Sequence, residues 1–194
     1  MKQETIRGFT IPELIITLGV AAIILSATVP GVSTTIKDNR LATRVNDIIT
    51  DIHFARSEAA KRDVRVILCR SKEPNASTPQ CSTDSGTEYT WTSGYLIFAD
   101  SGTAANSVYD AGSDILLRRG QPALSGVKMR TNSTWNKNLV FNPNGAANEG
   151  GSIAIMSICD DRGKDKCRQI FVAPSGIPKM YSANISASAP DASL

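Results

Sequence analysis

The chain divides into two unlike parts by its pattern of apolar and charged positions. From Leu14 to Ile36 there are 23 consecutive residues without a charge, and no later apolar run approaches that length. As a helix this run is roughly 34 Å long, enough to cross the hydrocarbon core of a bilayer. Pro30-Gly31 interrupts it and is expected to kink or locally melt the helix, because proline removes a hydrogen bond and clashes with the preceding turn. After Ile36 the pattern becomes amphipathic. Leu41, Val45, Ile48, Ile52, Ala55 and Ala59 fall at alternating spacings of 4 and 3, one stripe on an α-helix. The charges Lys37, Asp38, Arg40, Arg44, Asp47, Asp51, Arg56 and Glu58 lie largely off that stripe. The stripe is expected to pack on a sheet, and the charges to form a solvated face. A helix from Phe9 to about Arg62 would be roughly 80 Å long.

Downstream the period shortens. Val64 to Cys69 is β-branched and reads as a strand directly after the helix. Further strands are expected at Gly94 to Ala99, Ile115 to Arg118, Gly126 to Arg130, Leu139 to Asn142, Ser152 to Cys159 and Arg168 to Ala173. Pro, Gly, Asn and Asp clusters separate them, as in antiparallel β structure. Arg70 to Tyr89 has almost no apolar residues and reads as a long loop. Ser182 to Leu194 is small and polar and reads as a flexible tail. The organisation predicted is α+β: a long N-terminal helix packed on antiparallel β structure.

Composition narrows the class. With 194 residues, 41% hydrophobic, 20% charged and a formal net charge of +3, the chain is neither disordered nor a polytopic membrane protein. The net charge is a near-cancellation. Ser71 to Asp114 carries one basic and six acidic residues, whereas Ile115 to Tyr181 carries ten basic and four acidic ones. A one-sided basic surface suits phosphate binding or an acidic neighbouring subunit.

The N-terminus carries the most specific signal. A cleavable secretory signal fits the basic start (Lys2, Arg7), but the apolar run is too long and Leu25-Ser26-Ala27 is a poor cleavage site. A plain single-span anchor does not explain Glu13, a carboxylate at the mouth of an apolar segment, which is costly unless paired. Gly8-Phe9-Thr10-Ile11-Pro12-Glu13 resembles the processing site of type IV prepilins. The resemblance implies a leader of residues 1–8, cleavage between Gly8 and Phe9, and N-methylation of Phe9. It also implies that Glu13 pairs with the N-terminal amine of a neighbouring subunit. Residues 9–62 would then be the helix (9–36 membrane or filament core, 37–62 amphipathic), 63–181 the globular domain and 182–194 the tail.

Further motifs resemble the family that joins GspH pseudopilins to FimT and FimU minor pilins. These are Ala55-Arg56-Ser57-Glu58-Ala59 with Arg65 to Cys69, Trp91 to Asp100, Phe141-Asn142-Pro143-Asn144-Gly145, and the closing Ser175-Gly176. The likeness implies a type IV pilin-like fold, the long N-terminal helix packed on a globular antiparallel β domain of two sheets, and a minor pilin of a type IV pilus that supports filament assembly, or else the H-type minor pseudopilin of a type II secretion system. It implies a place in the bacterial inner membrane with the C-terminal domain periplasmic, then in the filament. The partners implied are other pilins and minor pilins, the prepilin peptidase and the inner-membrane assembly platform. Some FimT-type members bind DNA through a C-terminal Gly-Arg-x-Arg. Here the matching positions read Gly176-Ile177-Pro178-Lys179, so candidate DNA contacts reduce to Lys179 with Lys164, Lys166 and Arg168.

Four cysteines in an extracytoplasmic domain suggest two disulfides. Of three connectivities, the local pairing Cys69–Cys81 and Cys159–Cys167 is favoured. No C-x2-C spacing suits zinc, and the only histidine, His53, is on the amphipathic helix. Asp100, Asn106, Asp110 and Asp114 crowd one loop without the EF-hand register, so a turn-rich hydrophilic loop is the preferred reading over a calcium site. No phosphate-binding glycine loop or nucleophile elbow is present, and His53 has no evident catalytic partners. No cofactor, metal or enzymatic activity is expected.

Overall fold

A computed structural model describes residues 8–83, 91–102, 107–135, 137–147 and 152–182, leaving out the side chains of residues 27–31 and 164. Helix α1 spans Ile11–Arg62. Pro30 and Gly31 remain helical, so the interruption expected there does not melt the backbone; a proline removes one donor while the flanking turns stay bonded. Up to Asn39 the chain forms one compact unit and from Arg40 onward another. In the first unit the large apolar residues described, from Phe9 and Ile11 to Val32 and Ile36, are all exposed. Among the described residues no helix is long and apolar enough to cross a membrane. The uncharged run of Leu14 to Ile36 itself crosses residues 27–31, whose side chains lie outside the description.

In the second unit the predicted stripe is the core face. Leu41, Val45, Ile48, Ile52, Ala55 and Ala59 are essentially inaccessible. The helix ends at Arg62, where Asp63 takes a left-handed conformation (φ 56°) that turns the chain straight into the first strand. Two charges expected on the solvated face, Arg44 and Asp51, are instead buried. They lie seven residues apart, two turns along one edge of the apolar stripe, and that edge is covered by the sheets.

Among the described residues eight strands form two antiparallel sheets. The first, in order β3-β2-β1-β5, comprises β1 (Arg65–Arg70), β2 (Tyr95–Asp100), β3 (Ile115–Gly120) and β5 (Asn138–Phe141). The second, in order β4-β6-β7-β8, comprises β4 (Lys128–Thr131), β6 (Ala154–Cys159), β7 (Arg168–Val172) and β8 (Pro178–Ser182). Central β1 is buried on both faces, which explains its unbroken apolar run. Val66 and Leu68 join the helix stripe and the inner residues Met129, Met156, Ile158, Ile170 and Val172 of the second sheet in the main core. Ile67 and Cys69 face the other way, into a smaller cluster with Leu96 and Phe98 that packs against Cys81 and Tyr109. The loop expected from Arg70 to Tyr89 is irregular as far as it is described, and its residues 84–89 lie outside the description, as does the tail from 183 onward. Strand β8 was not among the expected strands. It opens on a proline and lies at a sheet edge, the position where a strand tolerates a missing N–H.

Candidate functional site

The residues of the prepilin-like start lie on an exposed segment. Gly8, Phe9 and Thr10 precede α1, Phe9 is 79% exposed, and a Cβ on Gly8 would meet nothing among the described residues. Thr10 accepts the first intrahelical hydrogen bond, from the N–H of Leu14 at 3.1 Å. Glu13 reaches back to accept from the N–H of Thr10 at 3.5 Å. Thr10-x-x-Glu13 therefore makes one of the two bonds of a capping box, a signal present in the sequence but obscured by the apolar run behind it. Its carboxylate also sits in the first turn, where the helix dipole favours an anion. Residues 1–7 of the leader lie outside the description.

The C-terminal motifs converge on the helix. Asn144-Gly145 and Ser175-Gly176 form two turns whose glycines have φ of +79° and +77°. A Cβ on Gly176 would collide with the Gly145 carbonyl, and the same carbonyl accepts from Arg56 Nε at 3.1 Å. Ala147 N–H donates to Pro174 O at 2.8 Å beside them. Three segments far apart in sequence thus meet at one point, and the glycine is required there by close backbone approach.

A polar cluster ties the helix to the first sheet. Asp51 accepts from the Tyr95 hydroxyl at 2.5 Å and from Arg118, whose guanidinium lies 4.1 Å from the Phe54 ring centroid. Burial, and next the Asp51 carboxylate, push the Tyr95 hydroxyl far above the usual tyrosine range. Gly120 stands opposite Tyr95 in the ladder, and a Cβ there would strike the aromatic ring. Arg119 holds the loop after β1 by donating to the carbonyls of Pro74 and Ala76 at 3.0 and 2.8 Å. Sequence reasoning missed this cluster because its members stand 44 and 67 residues apart.

The candidate DNA contacts do not share one surface. Lys166 is exposed in the short 3-10 turn Lys164–Lys166, and the side chain of Lys164 lies outside the description. Alternation along β7 puts Arg168 on the side of Ile170 and Val172, the core side. Lys179 stands opposite Phe171 on the outer side, beside Tyr181, whose ring meets Phe171 edge-on at 4.9 Å. Lys128 and Arg130, flanking the core residue Met129, share that outer side.

Two disulfides join Cys69 to Cys81 (Cα–Cα 5.5 Å) and Cys159 to Cys167 (4.2 Å). The first ties the loop to β1, and the second closes the turn between β6 and β7. In the acidic loop Asp100 pairs with Arg65, and Asp114 accepts from the N–H groups of Ser101 and Asp110. These carboxylates fold the loop. Asn106 lies outside the description, and no cluster of three or more metal-ligating side chains occurs among the described residues.

Comparison with known proteins bears on this architecture. The sequence profile for type II transport protein GspH matches residues 44–176. That span takes in the polar cluster, both disulfides and both glycine turns. Two crystal structures of the type IV minor pilin FimU from Pseudomonas aeruginosa (strain PAO1) are similar in fold. One covers 79% of this chain and 96% of its own at a TM-score of 0.56, the other 77% and 98% at 0.53, both at 17% identity. No curated protein matches in sequence. The profile covers well over half of the chain, which therefore belongs to the GspH family and shares its fold with the minor pilin FimU.

Proposed function

We propose that this protein is a minor pilin of a type IV pilus, processed between Gly8 and Phe9 and incorporated through its N-terminal helix. The observation that carries the reading is the exposure of the apolar residues described from Leu14 to Ile36, behind a helix-capping Glu13, in a chain whose β domain has the FimU fold. Such a stretch is costly in water and is stabilised by a bilayer before assembly and by neighbouring helices after it. The chain would wait in the inner membrane with its β domain in the periplasm, be trimmed and methylated by the prepilin peptidase, and enter the filament from the assembly platform. There it would support initiation beside other minor pilins. Its partners are other pilins; its role is structural. Deleting the gene should abolish or reduce surface pili and twitching while leaving type II secretion intact.

A second reading, the H-type minor pseudopilin of a type II secretion system, is favoured by the family profile itself. The same deletion strain distinguishes it, because secretion would then fail while pili persist. DNA contact as an added role is supported by the outer side of the second sheet, where Lys179 stands beside Phe171 and Tyr181 and Lys128 and Arg130 lie on the same side at β4. Cations beside aromatic rings suit nucleic acid. Gel shifts at two salt concentrations test it; no shift at low salt excludes the role.

A further inference from the structure

His53, Arg56 and Ala60 stand at i, i+3 and i+7 on α1 and so share one face. With Pro143, Asn144 and Gly145 of the turn packed beside them they line an open cleft of about 370 Å³. The hydrogen-bond inventory of this cleft is one-sided. Half-buried Arg56 is fixed by donating from Nε to the Gly145 carbonyl at 3.1 Å, and its guanidinium lies against that glycine. It makes no other hydrogen bond and no ion pair among the described residues, so the fork of Nη1 and Nη2 is unused. Asn144 accepts from the Ala146 N–H at 2.9 Å, which identifies the oxygen end of its amide and leaves the NH2 group unbonded among the described residues. The exposed imidazole of His53 has no partner among them either.

No Asp or Glu lines the cleft. The acids that flank this helix face in sequence are used elsewhere: Asp51 by Tyr95 and Arg118, Glu58 by Lys61 and Arg62. The cleft therefore holds one uncompensated guanidinium charge beside further donors, between the apolar walls of Ala60 and Pro143. A partly desolvated charge held only by a neutral carbonyl is costly, and an anion would offset that cost. A planar fork with a single excess charge matches a planar monoanion. Because its Nε is already tied to the turn, Arg56 loses less side-chain freedom on binding than a free arginine would.

We propose that the cleft between Arg56 and Asn144 binds a carboxylate group, carried by an acidic side chain of another protein or by a small free carboxylate. It does not depend on which filament the chain joins. His53 is the only histidine of the chain, so its ring signals report on the cleft without ambiguity. The test follows them by NMR on the untagged full chain in detergent micelles, at fixed pH and ionic strength. The titrants are sodium acetate, a neutral-flanked single-glutamate peptide, inorganic phosphate and sodium chloride. Saturable shifts with acetate or the peptide are expected. The midpoint should rise roughly tenfold in Arg56→Lys, which keeps the charge but loses the fork, and in Asn144→Asp, which keeps the bond to Ala146 but puts a negative charge in the cleft. Asn144 is exposed, so the second variant serves where the first does not fold. A peptide midpoint at least tenfold below that of acetate assigns the ligand to a protein side chain; a smaller difference assigns it to a small carboxylate. Absence of saturation by both, equal shifts with chloride, tighter binding of phosphate, or an unchanged midpoint in Asn144→Asp would overturn the proposal.

Discussion

The Tyr95 hydroxyl donates to the Asp51 carboxylate at 2.5 Å, joining the second strand of the first sheet to the helix across the core boundary. Arg118 approaches the other oxygen of the same carboxylate, so a charge buried on the helix is matched from two neighbouring strands. Removing the hydroxyl leaves the largely buried Asp51 with one partner fewer. Tyr95→Phe should therefore cost about 1.5–3 kcal/mol at neutral pH, measured by denaturant unfolding.

The same pair sets an alkaline limit. Burial and the Asp51 carboxylate raise the Tyr95 hydroxyl well above its unfolded value of about 10. The folded state therefore holds a proton that the unfolded state releases. The stabilisation is fully present below pH ~10 and declines as pH climbs from there toward the raised value. Thermal melts across pH 9–11 should fall more steeply for the wild type than for Tyr95→Phe. Parallel curves would remove the pair from the account.

The glycine turns give a comparison internal to the protein. Gly176 and Gly126 both have positive φ, but only Gly176 packs against another backbone, at Gly145; Gly126 has open space around its α-carbon. Alanine at Gly126 should cost about 1–2 kcal/mol, the conformational term alone. Gly176→Ala should cost clearly more, because the Gly145 turn must also shift away from Arg56. Equal losses in denaturant midpoint would show that the convergence on Arg56 carries no energy.

The disulfides close loops of 12 and 8 residues by sequence separation. In the chain-entropy picture each contributes ~2–3 kcal/mol. Paired serine replacements at Cys69/Cys81 and at Cys159/Cys167 should each lower stability by that order, and thiol titration of the unfolded, unreduced wild type should find no free thiol.

Much of this was legible in the sequence because it rests on local periodicity. The stripe from Leu41 to Ala59 reads as one face at sight, and seven of the strands announce themselves as short apolar runs between turn residues. Three things were not. Strand β8 has a proline at its start and a lysine and a serine among its residues, and only its pairing to β7 gives it order. Arg44 and Asp51 look like surface charges, since nothing near them in sequence reveals Tyr95, Arg118 or Met129. The retained Gly176 reads as the remnant of a DNA-binding motif, whereas its position shows a steric need imposed by Gly145. Long-range pairing decides all three, and periodicity carries no information about it.

Glu13 separates two roles. As a cap it needs only an acceptor for the Thr10 N–H, which glutamine also supplies. As the partner of an N-terminal amine it needs its charge. Glu13→Gln should accumulate as a normal, processed membrane protein yet be depleted from sheared filaments. Normal incorporation would assign the residue to capping alone.

The central claim is that the chain is processed at Gly8 and assembled through the helix that follows. Mass spectrometry of the protein recovered from sheared, purified pili tests it most directly. The account predicts an N-terminal peptide beginning at N-methylated Phe9; a chain that still begins at Met1, or its absence from filaments in cells that express it, would contradict the account.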